Sequence, residues 1–159
     1  MQDLENKYRA MQQIIKKIVK NQNLVNVAYD AISNDDILTL EILKENGFNF
    51  FGNNYVFTAV DCSSLKCLKF LLEEGADANC SGKTFVDGKM MNVVPVELAC
   101  LTCNVKALKI FIENGVKLQL FGGVDALRRY RKVLGNENTK MLQELKEEYE
   151  TKTFNETQK

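Results

Sequence analysis

The chain has 159 residues, enough for one domain, and balances 21 Lys and Arg against 21 Asp and Glu, so no bulk charge draws it to nucleic acid or membrane. It contains no histidine, which removes the commonest metal ligand and general base and excludes Ser-His and Cys-His nucleophiles. Five cysteines, an odd number in a chain that is 45% hydrophobic, argue against a secreted disulfide framework.

Residues 1–23 read as one helix followed by a break. Leu4, Tyr8, Met11, Ile14, Ile15 and Ile18 recur at helical spacing and form one apolar stripe. The helix serves either as a cap over the next apolar face or as a segment that docks into a partner's groove. The opening "MQDLENKYRAMQQIIKKIVK" has no uninterrupted apolar stretch and carries Asp3 and Glu5, so neither a signal peptide nor a mitochondrial presequence is expected. No apolar run reaches the length of about 18 residues that a membrane span requires. An intracellular, cytoplasmic setting is expected.

From residue 24 a longer period emerges. "VAYDAISNDDILTLEILKENGFN", "YVFTAVDCSSLKCLKFLLEEGADAN" and "VPVELACLTCNVKALKIFIENGVKL" share one shape. Each begins with a short helix and makes a tight polar turn, at Asn34-Asp35-Asp36, Cys62-Ser63-Ser64 or Thr102-Cys103-Asn104. A second helix follows and stops at Gly47, Gly75 or Gly115, where glycine accepts the left-handed cap. Leu68, Leu71, Leu98 and Leu108 are expected between the stacked helices.

"FLLEEGADANC" and "VPVELAC" carry the resemblance: the chain resembles the ankyrin repeat family over about residues 24–121. The fold this implies is all-α, a helix-turn-helix solenoid with β-turn fingers. It comprises three repeats (about 24–53, 54–88 and 89–121), the N-terminal capping helix, and a degenerate capping repeat over 122–150. Residues 151–159 are expected to form a flexible tail. Pro95 takes the helix-opening position, where its missing N–H is harmless. The family's opening threonine and histidine are replaced by Val94 and Glu97. Gly75 follows Gly47 by 28 residues and Gly115 follows Gly75 by 40, against a family period of about 33. The surplus falls in "CSGKTFVDGKMMN" (80–92), an enlarged finger in which Gly82 and Gly88 bracket a small hairpin.

The family resemblance implies a non-catalytic module that binds another protein through its fingers and inner helices. On the concave side stand Asn53, Asp61, Met90, Met91, Val93, Leu101 and Thr102, with Phe85 further out in the insertion. Apolar residues at such variable positions form either a partner surface or a finger folded back on Phe50 and Phe51. A subunit built permanently into an assembly is the alternative function. A third is a thiol redox protein at Cys100 and Cys103, which have Cys-x-x-Cys spacing. In the ankyrin register these two are a small buried residue and a turn position, and no second such pair exists to complete a zinc site. No metal, cofactor, nucleic acid or membrane is expected as a partner. The basic run "RRYRK" (128–132) reads as the solvated face of a capping helix.

Overall fold

A computed structural model describes residues 1–19, 23–86, 88–116 and 124–157 of the chain. Among these are eight helices and one two-stranded sheet. Helix α1 (Gln2–Val19) precedes three helix pairs: α2 (Leu24–Ser33) with α3 (Ile37–Glu45), α4 (Tyr55–Asp61) with α5 (Leu65–Glu73), and α6 (Pro95–Leu101) with α7 (Val105–Glu113). Strands β1 (Gly82–Val86) and β2 (Lys89–Val93) lie between the second and third pairs, and α8 (Val124–Thr157) closes the chain. No helix among the described residues is long and apolar enough to cross a membrane.

The pairs stack in two layers. The first helices contact one another in the order α2, α4, α6, and the second helices in the order α3, α5, α7. Helix α8 packs on α6 and so covers the last member of the inner layer. The core runs through the stack and includes Leu40, Tyr55, Leu68, Leu71, Leu98, Leu108 and Phe111. The four leucines expected between the helices are all buried.

The three polar turns are built alike. Asp36, Ser64 and Asn104 each donate their backbone N–H to an alanine carbonyl of the preceding helix, at Ala31, Ala59 and Ala99, each at 2.8 Å. Just before them, Asp35, Ser63 and Cys103 adopt left-handed backbone with φ of 52, 53 and 51°. Gly47, Gly75 and Gly115 are left-handed as well, as the sequence predicts for the ends of the second helices.

Capping side chains begin several helices. Asn23, Asp36 and Asn104 accept from the N–H groups of Val25, Thr39 and Ala107, the role these residue types fill best. Helix α5 differs. Ser64 turns its hydroxyl away to donate to the Ile32 carbonyl of the preceding pair. Between the first two pairs, Tyr29, Phe48, Phe50, Tyr55 and Phe70 form a chain of ring contacts with centroids 4.9–6.2 Å apart.

Both ends depart from expectation. Helix α1 buries Ile15, and Tyr8 and Gln12 donate to the Glu45 carboxylate of α3. Its apolar stripe is only partly used, because Leu4 and Ile14 remain exposed. At the other end, α8 breaks at Gly135 (φ 82°, ψ 173°), so two helical segments stand where a helix pair is expected. The second segment buries Thr139, Leu142 and Leu145. Where a tail is expected from residue 151, the helix runs on to Thr157. Nothing in "TKTFNET" stops a helix; Thr151 donates back to the Glu147 carbonyl at 2.9 Å, and Lys146 pairs with Glu150 at 3.7 Å. The break expected at 20–23 falls mostly outside the described residues, as do the repeat boundary at 121–122, residues 158–159 and the side chains of 128–130. Arg131 and Lys132 lie exposed on α8.

Candidate binding surface on the hairpin

The hairpin follows from its sequence. "GKTFV" and "KMMNV" are rich in β-branched, aromatic and other apolar residues, and Gly88 supplies φ 76° at the turn. The strands pair antiparallel, with Gly82 opposite Val93, Thr84 opposite Met91 and Val86 opposite Lys89 on one face. The other face pairs Lys83 with Asn92 and Phe85 with Met90.

The two faces have opposite environments. Val86 and Val93 are buried and Met91 and Thr84 half-buried, so their face looks toward the helices. Gly82 sits hard against the Phe57 ring of α4, leaving no room for even a methyl group. On the outer face, Phe85 is 71% exposed and Met90 53% exposed. These two directly opposed side chains form an apolar pair with solvent around it. Lys83 beside Phe85 on this face is exposed as well, and so is Lys89 at the turn end of the other face.

The eight residues expected on one surface are divided. Val93 is 2% exposed and Leu101 is 8% exposed, and both belong to the core. Val93 is lost from the surface because strand alternation turns it inward at the root of the hairpin. Leu101 is lost because, at the end of α6, it belongs to the buried core of the stack. Met91 shares the inward face with Val93 and packs against the core. The reading in which the finger folds back therefore holds for Met91, while Phe85 and Met90 stay outside.

Asn53, Asp61 and Thr102 remain exposed. Asn53 donates to the Tyr55 hydroxyl at 3.2 Å and lines a polar cleft of about 380 Å³ with Asn54, Asp77, Cys80 and Ser81. That cleft places it beside the root of the hairpin. Asp61 ends α4 and Thr102 follows α6, at the turn end of the inner helices. Thr102 uses its hydroxyl on the Leu98 carbonyl at 2.8 Å. A seven-residue helix is roughly 10 Å long, and this length separates the turn end from the finger end. Asn53 lies at the root of the hairpin, and Phe85 and Met90 lie farther along its strands.

Two features escaped the sequence reading. Lys83 shares the outer face with Phe85, and its two-residue spacing from Phe85 within "KTFVDGK" was the available signal. A second apolar groove, of about 360 Å³, lies where Leu4, Tyr8 and Met11 of α1 splay from Leu38 of α3. No spacing in the sequence marks how far α1 stands off.

The thiols point away from redox chemistry. Burial pushes the Cys103 thiol up, and Cys100 is buried. A reactive pair needs an accessible thiol with a lowered pKa. Burial also raises Cys80, against the lowering effect of backbone N–H groups at Phe57 and Val56. Cys67 is pushed up to about 12, chiefly by burial and then by the neighbouring Asp35 charge. Among the described residues, no three His, Cys, Asp or Glu side chains group in a way that could hold a metal ion. Compared with known proteins, the chain matches no family model and no curated protein sequence.

Proposed function

We propose that the chain is an ankyrin-type stack of three helix pairs with a cap at each end. In this reading it is a non-catalytic intracellular module that binds a partner protein through the finger end of its inner layer. Three equivalent turns, three left-handed joints and three capping glycines support the repeat reading. The observation that carries the binding reading is the exposed pair of Phe85 and Met90 on the outer face of the hairpin. Aromatic and methionine side chains are enriched in interface cores, where they act as desolvated anchors. The outer helices instead present Lys66, Lys69, Lys106 and Lys109, a residue type depleted from such cores.

Quantitative mass spectrometry of proteins captured by the chain tests this. The double variant Phe85→Asp, Met90→Asp is expected to lose its specific partner at least about tenfold, equivalent to about 1.4 kcal/mol. Lys69→Glu and Lys109→Glu are expected to keep it. Circular dichroism must show each variant folded. Retention of the partner by the folded double variant, with loss by the lysine variants, would place binding on the outer helices.

A second reading, a subunit held permanently in an assembly, is favoured by α1. Its Leu4 is 73% exposed beside an apolar groove, a surface that an obligate neighbour would cover. The isolated chain would then be poorly soluble or polydisperse, and Leu4→Gln would improve it.

A further inference from the structure

We infer that the segment seated on the hairpin is acidic as well as apolar: a stretch of a partner protein with carboxylates flanking an apolar side chain. The inference rests on the reading of the Phe85–Met90 face as the binding surface. Charge on the chain is segregated. The inner helices α2, α4 and α6 contain Asp30, Asp61 and Glu97 and no lysine or arginine. The hairpin reverses this, with Lys83 and Lys89 against one acid, Asp87, across 82–93. Lys83 neighbours Phe85 on the outer face, while Lys89 stands on the opposite face at the turn end of the hairpin, where it is exposed. Anything that desolvates the apolar pair therefore brings its own charges close to the Lys83 ammonium, and toward the turn end of the hairpin where Lys89 stands.

The sign decides among occupants. A second copy laid face to face would set the Lys83 of each copy on one shared apolar face, and like charges in apposition oppose association. A basic segment meets the same repulsion. An acidic segment gains attraction at the hairpin, and the exposed carboxylates of Asp30 and Asp61 repel it from the inner helices. This confines it to the hairpin. Anchor and charge then have separate tasks: Phe85 and Met90 hold the segment, while the lysines speed its arrival and reject cationic competitors.

A random-peptide display library, selected on the wild-type chain and counter-selected on folded Phe85→Asp, tests the inference. The enriched peptides should carry an excess of Asp and Glu around an apolar residue. The best of them should bind Lys83→Glu, Lys89→Glu at least tenfold more weakly than wild type, and should weaken as salt rises. Enriched peptides that are neutral or basic, or an unchanged affinity in the charge-reversed variant, overturn the acidic segment and leave the binding surface standing. A library yielding no peptide dependent on Phe85 overturns both. Sedimentation velocity supplies the remaining outcome: a homodimer that dissociates in Phe85→Asp would identify a second copy as the occupant and sink the inference.

Discussion

The carboxylate of Asp35 accepts a hydrogen bond from the backbone N–H of Cys67 at 3.0 Å, across 32 residues and from one helix pair to the next. Asp35 thereby caps α5, whose own Ser64 makes no side-chain cap. The turn of one helix pair is thus tied to the second helix of the next pair. Asp35→Ala is expected to destabilise the chain by roughly 0.5–2 kcal/mol, the range for a lost cap. Asp35→Asn should cost less, since asparagine keeps an acceptor oxygen and tolerates the left-handed backbone. Urea unfolding of both variants checks this, and a loss below about 0.5 kcal/mol for Asp35→Ala would show that the cap contributes little.

The division of the predicted surface gives a paired test. Leu101→Asp places a charge in the core and is expected to unfold the chain or cost several kcal/mol. Phe85→Asp, on the outer face of the hairpin, is expected to stay within about 0.5 kcal/mol of wild type. Leu98→Ala, at a fully buried position, should cost roughly 2–5 kcal/mol. Thermal unfolding followed by circular dichroism separates the three. A fully stable Leu101→Asp would return that residue to the surface.

Gly82→Ala should loosen the hairpin. The added methyl would overlap the Phe57 ring, so either the ring or β1 must move, and such overpacking typically costs about 1–3 kcal/mol. Faster amide exchange across 82–93 than in α5 would locate the damage. Gly82→Ala with Phe57→Leu should recover part of it, because the smaller side chain vacates the space.

Cys67 gives an alkaline signature. Its thiol pKa is raised in the folded chain to about 12, whereas an unfolded thiol titrates near about 8.5. Below the unfolded value both states hold the proton, and the group's contribution is fully present. As pH rises, the unfolded chain ionises first and stability is lost, progressively up to the folded value. Wild type should therefore lose more stability than Cys67→Ala between about pH 8 and pH 10.5. Urea midpoints at those two pH values measure the difference, and parallel losses would rule out Cys67 as the source. Native alkylation should spare Cys67 and modify the exposed Cys62.

The helices, the three turns and their glycines were legible because their signals are local: apolar periodicity, Asn and Asp at caps, and glycine at helix ends. Val93 and Leu101 were misplaced because their burial depends on partners distant in sequence. Leu101 is enclosed by a core assembled from distant elements, and Val93 is buried because the hairpin turns one particular face inward. The strand alternation that separates Met90 from Met91 has a clear period. Its phase puts Gly82 on the inward face against Phe57, a contact across 25 residues. The bond from Asp35 to Cys67 was hidden for a similar reason, since either residue alone reads as an ordinary turn or core position.

The left-handed joints at Asp35, Ser63 and Cys103 bear on how the chain can change over generations. A side chain in that conformation costs roughly 1–2 kcal/mol, of which glycine would recover all but the roughly 0.5–1 kcal/mol lost to its greater freedom when unfolded. Asp35 offsets its strain by capping α5, and Ser63 accepts from Asn104 at 3.4 Å. Cys103 offers only a thiol, a weak acceptor. In the genetic code, Cys and Asp codons each lie a single nucleotide from a glycine codon. The chain therefore stands one mutation from a firmer joint, and Cys103→Gly is the step with the least to lose.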